Sequence, residues 1–233
     1  MTSQRSGARI PQWVPKFGLI HKPNMRFLSI LTITLSLLSG CGSGDSIPQP
    51  MKISVYGDSI SAASPDLNPG FSAELSQLLG LAVTDHARGG GSVRDFSVVD
   101  DTDLVLIRYS GADALHYGSL DVTQVAIFKS SLVSLIKSAK KKVVLTGTIR
   151  LAPYEQLLDY NYPHDAYLQK VIDLDVYDNA VREVSKEMNI PFIDIRLVPF
   201  YGREDLRDEV HPNQKYSTRL SIYIAKELSA YLQ

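Results

Sequence analysis

The sequence predicts an α/β fold: a single-domain, three-layer α/β/α sandwich around a parallel five-stranded sheet. Three observations predict it. From residue 51 onward, short apolar runs alternate with stretches of helical periodicity, the pattern of strands joined by crossover helices. The run Leu104-Val105-Leu106-Ile107 is apolar without alternation, as a strand covered on both faces requires. The composition, 44% hydrophobic and 21% charged over 233 residues, suits one well-packed globular domain.

The elements follow in order. Met51 to Tyr56 reads as the first strand. Gly70 to Leu79 reads as a helix, with Phe71, Leu75 and Leu78 spaced for one face. Leu81-Ala82-Val83 is a short second strand, and the run beginning at Leu104 is the third. Val122 to Ala139 is helical, its stripe formed by Val125, Phe128, Leu132 and Leu135. Lys142 to Thr146 is the fourth strand. Ala166 to Met188 is a long helix with Val171, Leu174, Val181 and Val184 inward, Phe192 to Ile195 is the last strand, and Tyr216 to Leu232 closes the chain as a helix. Right-handed crossovers place helices on both faces of such a sheet, and its ligands bind at the carboxyl ends of the strands.

Two motifs fall at that edge. Gly57-Asp58-Ser59-Ile60 follows the first strand, and Asp208-Glu209-Val210-His211-Pro212 follows the last by a loop. Together they supply a nucleophile, a base and an acid able to orient the base. A serine hydroxyl needs such a base, and a tight turn after Gly57 would lift Ser59 clear of the sheet. Ser61 and Ser64 are nearby but lie past the turn. Asp58 is expected to fix local backbone rather than to act chemically. Of five histidines, His21 lies in the amino-terminal leader, His86 and His116 read as loop residues, the latter near Asp113, and His164 sits in an aromatic loop; His211 has Asp208 three residues upstream and Pro212 to stiffen the turn. An aspartate on one imidazole nitrogen leaves the other free to take the serine proton. Asp205 and Glu209 are the other acids within reach.

Over about residues 51–232 these motifs resemble those of the SGNH (GDSL-type) hydrolases. The resemblance implies a flavodoxin-like sheet and a triad of Ser59, Asp208 and His211. It also implies an oxyanion hole built from the Ser59 N–H, a glycine N–H and an asparagine side chain. Arg88-Gly89-Gly90-Gly91-Ser92-Val93-Arg94-Asp95 resembles the glycine block, with Gly90 (or Gly91) as the donor. The third block departs: in Arg108-Tyr109-Ser110-Gly111-Ala112-Asp113, alignment on Asp113 puts Ala112 where asparagine is expected. Losing one such donor costs about 10²–10³ in rate, so Arg108 or Tyr109 is a candidate substitute donor and substrate contact. Tyr160 and Tyr162 are candidate substrate-binding residues in a tyrosine-rich loop.

The activity implied is that of a serine esterase or acylhydrolase, cleaving acyl or acetyl esters of a lipid or carbohydrate through an acyl-enzyme. Two alternatives stay open: an O-acyltransferase acting on envelope polysaccharide, and a non-catalytic binding protein on the same fold. A formal net charge of -1 gives no electrostatic case for nucleic acid. No Gly-x-Gly-x-x-Gly follows the first strand, no Walker loop occurs and no metal-ligand cluster is evident, so no cofactor is expected.

The amino-terminal part carries a different signal. Arg26 precedes an apolar run from Phe27 to Leu38, and Leu38-Ser39-Gly40-Cys41 follows. The run is too short to span a bilayer comfortably but right for a signal peptide. Cys41, the sole cysteine, ends what resembles a bacterial lipobox. Residues 25–41 are therefore expected to be a lipoprotein signal peptide, with the membrane reached through lipidated Cys41. Residues 1–24 are an over-called start or a disordered leader, and the Gly/Ser/Pro-rich residues 42–50 are a flexible tether. The expected location is the cell envelope, on the periplasmic face of the outer membrane in a Gram-negative host.

Overall fold

Five parallel strands in the order β2-β1-β3-β4-β5 organise the chain. The computed structural model describes residues 50–62, 70–98, 101–109, 111–156, 163–208 and 210–232. The strands are β1 (Lys52–Gly57), β2 (Ala82–Asp85), β3 (Leu104–Arg108), β4 (Lys142–Thr146) and β5 (Phe192–Ile193). The helices are α1 (Phe71–Leu79), α2 (Ala112–Tyr117), α3 (Val122–Ala139), α4 (His164–Met188) and α5 (Gln214–Leu228). Among the described residues, no helix is long and apolar enough to cross a membrane.

Strand pleating divides the core in two. Ile53, Val55, Leu104 and Leu106 point to one face and pack with Phe71 and Leu75 of α1 and Leu220, Ile224 and Leu228 of α5. Tyr56, Val105 and Ile107 point to the other and pack with Phe128, Leu132 and Leu135 of α3 and Leu174, Val181 and Val184 of α4. β1 and β3 pair over Ile53↔Leu104 to Gly57↔Arg108, and both are covered on each face, which accounts for their unbroken apolar runs. The three-layer sandwich and parallel sheet are those the sequence predicts. The strand order is the flavodoxin-like one, with the winding reversing between β1 and β3; a crevice opens at such a switch point.

The boundaries differ where polar side chains intervene. Leu78 was expected to face inward but is 49% exposed. The buried face of α1 instead carries Glu74, whose Oε1 accepts from Thr218 Oγ1 at 2.7 Å and Gln214 Nε2 at 2.8 Å, while Oε2 accepts from Ser221 Oγ at 2.8 Å. This polar clasp ties α1 to α5 one turn before the exposed Leu78. β5 stops after Ile193 because Asp194 caps a 3₁₀ turn, accepting from Arg196 N at 3.1 Å. α5 starts earlier than predicted because Asn213 caps it, accepting from Tyr216 N at 3.1 Å. α2 was not foreseen at all.

Candidate active site

The nucleophile turn is set by crowding. A Cβ on Gly57 would stand 2.4 Å from the Arg108 carbonyl oxygen and 2.5 Å from Ser61 Oγ. Only glycine lets β1 end this close to β3. Ser61 Oγ donates to that same Arg108 carbonyl at 3.0 Å, so Ser61 is a buried brace rather than a nucleophile. Asp58 is also buried. Its Oδ1 accepts from Ile60 N and its Oδ2 from Ala112 N, both at 3.0 Å. The carboxylate thus shapes the turn and ties it to the start of α2.

Ser59, left half-buried by this turn, meets the loop before α5. The Ser59 Oγ lies 2.9 Å from His211 Nε2, and His211 Nδ1 lies 2.8 Å from Asp208 Oδ2. Asp208 also accepts from the N–H groups of Val210 and His211, each at 2.8 Å through Oδ1. Burial pushes the Asp208 carboxyl pKa up, but these backbone donors and the imidazole outweigh it and hold the carboxyl below its ordinary value. An ionised carboxylate only accepts, so His211 Nδ1 carries the proton and Nε2 is left to accept from the serine hydroxyl.

The loop that carries acid and base is closed on itself. Leu206 and Pro212 form an isolated antiparallel bridge. Arg207 N donates to His211 O and Asn213 N to Asp205 O, both at 2.8 Å. Asp205, considered above as an alternative acid, is buried and occupied elsewhere: it accepts from Tyr201 N at 2.6 Å and pairs with Arg219 at 2.5 Å.

A cleft of about 330 Å³ opens beside Ser59 and His211, lined also by Gly90, Ala112, Leu115, His116 and Val210. Gly90 takes φ +66°, a conformation costly for residues with a Cβ. Gly91 does not line the cleft, and its N–H is spent on Arg88 O at 3.0 Å. The geometry therefore separates the two glycines in favour of Gly90. The glycine block is fixed to α2 through Asp113, which accepts from Ser92 Oγ at 2.6 Å and Val93 N at 2.9 Å. Burial raises the Asp113 pKa against these hydrogen bonds.

Two expected substrate contacts lie elsewhere. Arg108 is fully buried, on the α1 side of the sheet. Its guanidinium sits 4.1 Å from the Phe71 ring centroid, and its Nη1 approaches the Ile60 carbonyl at 3.4 Å. Burial pulls its pKa down to about 10, against the nearby Asp58 charge. Tyr109 points to the opposite face, 4% exposed, beside Phe96 and a void of about 10 Å³ shared with Phe128 and Tyr177. Strand alternation sends both away from the cleft. Tyr160, Tyr162, Glu209, Ser64 and Cys41 lie outside the described residues.

His116 is the cleft residue that the sequence reading passed over. It lies on α2, where Ala112, Leu115 and His116 share one helical face. Among the described residues, no group of three or more His, Cys, Asp or Glu side chains is arranged to hold a metal.

A serine, an imidazole and a carboxylate in hydrogen-bonded series stand at the switch point of a doubly wound sheet with the fold of the SGNH hydrolases. The chain belongs to the GDSL-like lipase/acylhydrolase family, whose model matches residues 55–216. It is similar in fold to a lipase/acylhydrolase from Enterococcus faecalis, at 21% identity and TM-score 0.58 over 78% of this chain and 97% of that one. A catalytic mutant of an acetylxylan esterase from Geobacillus stearothermophilus aligns at 19% identity and TM-score 0.57, over 76% of this chain and 94% of that one. A carbohydrate acetylesterase family member from Sinorhizobium meliloti aligns at 14% identity and TM-score 0.59, over 78% and 99%. Comparison with curated proteins gives no match.

Proposed function

We propose that this protein is a serine esterase that cleaves acyl or acetyl esters of a carbohydrate or lipid through an acyl-enzyme. The observation that carries the reading is the unbroken series from Asp208 through His211 to Ser59, opening on a cleft. Ser59 attacks the ester carbonyl while His211 Nε2 takes its proton. Asp208 holds the imidazole in the required tautomer and stabilises the imidazolium. The N–H groups of Ser59 and Gly90 receive the developing oxyanion. His211 then protonates the departing alcohol, and water repeats the sequence to free the acid. Likeness in fold to two carbohydrate acetylesterases supports a short acyl group on a sugar as the first substrate to try. Lipidation at Cys41 would hold the domain at the envelope membrane through residues 42–50.

The test is hydrolysis of p-nitrophenyl acetate and butyrate by the purified protein beside Ser59→Ala. Activity abolished by the substitution is the expected result. Equal rates in two folded proteins would favour the non-catalytic reading, which the methyl group of Ala112 in the cleft supports.

A further inference from the structure

We propose that His116 is a catalytic residue, its imidazole N–H donating to the oxyanion that forms on the ester carbonyl, in place of the donor that Ala112 lacks. The inference rests on the esterase reading above.

Three observations carry it. First, Ala112 lines the cleft that holds Ser59 and His211, and a methyl group cannot donate a hydrogen bond. Second, His116 follows Ala112 by four residues on α2 and lines the same cleft. Side chains at that spacing leave a helix on one face. The His116 Cε1 lies 3.6 Å from where a Cβ on Gly90 would stand. The Cε1 edge of the ring therefore stands against the glycine block. Third, His116 is solvent-exposed, and neither of its ring nitrogens has a protein hydrogen-bond partner among the described residues; its ring meets Tyr117 edge-on. A neutral imidazole always keeps one N–H, so a donor is present in either tautomer.

The roles of the two histidines then differ by their partners. His211 has Asp208 on one nitrogen and Ser59 on the other, and it moves the proton. His116 has neither and only donates. As the bond from Ser59 Oγ to the acyl carbon forms, the serine proton passes to His211 Nε2 and the carbonyl π pair moves onto oxygen. The His116 N–H then makes its hydrogen bond to that oxygen without giving up the proton. When the pair returns, the bond to the alkoxide breaks and the alkoxide takes the proton from His211. His116 ends as it began.

The experiment is steady-state hydrolysis of p-nitrophenyl acetate by the full chain and its variants, with folding checked by circular dichroism. His116→Ala should lower kcat about 10- to 100-fold with KM within about twofold, the signature of an interaction made in the transition state. His116→Asn, which keeps a donor, should retain most of the rate. Adding Ala112→Asn to His116→Ala should restore at least about tenfold, whereas Ala112→Asn alone should gain less than about threefold, because the asparagine and His116 would compete for the third donor position beside the Ser59 and Gly90 N–H groups. Wild-type kcat in His116→Ala, with Ser59→Ala inactive, overturns the inference and leaves the esterase reading standing. A rise in KM alone also overturns it, since that marks a ground-state contact. Full activity in Ser59→Ala removes the esterase reading, and the inference with it. Should the Ala112→Asn variants not fold, the comparison of His116→Ala with His116→Asn decides.

Discussion

The Asp58 carboxylate accepts a hydrogen bond from the Ala112 N–H at 3.0 Å, joining residues 54 positions apart in the chain. Its other oxygen holds Ile60 N, so one buried side chain couples the nucleophile turn to the helix that flanks the cleft.

Asp58→Asn keeps the shape but exchanges one acceptor oxygen for a donor. One of the two N–H groups then faces another N–H in a buried site. A loss of about 1–3 kcal/mol in stability is expected, together with a fall in kcat as Ser59 and Ala112 lose their common brace. Urea titration and p-nitrophenyl acetate kinetics on the same preparation measure both. Unchanged values in each would remove the bracing role.

Asp208→Asn tests the relay. In serine proteases the corresponding change costs about 10⁴ in kcat, because the imidazole takes the wrong tautomer. A loss on the order of 10³–10⁴ is expected here by the same argument. The pH dependence has a definite sign. Asp208 in the folded protein titrates below its ordinary value, so the unfolded chain binds the proton more readily. The stability it contributes is present above the ordinary aspartate pKa of about 4, and it is lost as pH falls through the folded value. The difference in urea midpoint between wild type and Asp208→Asn should therefore be larger at pH 6 than at pH 3.

Gly57→Ala places a methyl group 2.4 Å from the Arg108 carbonyl oxygen. Backbone cannot yield as a flexible side chain does, so β1 and β3 must part at their carboxyl ends. Overpacking of this kind costs about 1–3 kcal/mol. Because Ser59 lies two residues on, activity should fall by more than the drop in melting temperature alone would suggest. A variant with wild-type kcat and melting temperature would show that the turn has slack.

Cys41→Ser removes the expected lipid attachment point. The protein should move from the membrane to the soluble fraction, and mass spectrometry should find the lipidated amino terminus only in the wild type. Membrane retention by the serine variant would exclude lipidation as the anchor.

Much of this architecture was legible because it rests on local patterns. Unbroken apolar runs marked β1 and β3, and the strand ends located Ser59 and the Asp208/His211 pair on one edge. Two of the errors share a cause: a polar side chain whose partner is distant in sequence. Glu74 takes a buried place on α1 because it finds Ser221, 147 residues away. Arg108 looked like a ligand for an oxyanion, yet it is a buried cation stacked on Phe71. Helix α2 has six residues, too few for a periodicity to declare itself. The helical neighbourhood of Ala112 and His116 could be seen only once that helix was in place.

The antiparallel bridge between Leu206 and Pro212 has a consequence for how activity fails on heating. Acid and base ride on one cross-linked hairpin-like loop, so their mutual spacing survives any rigid displacement of it. Only the gap to Ser59 changes. Rate is then a gauge of how firmly a single short segment stays seated against the sheet. Segments of this size release at lower free energy than the strands beneath them, so the protein should fall silent several degrees before its sheet comes apart, and recover on cooling.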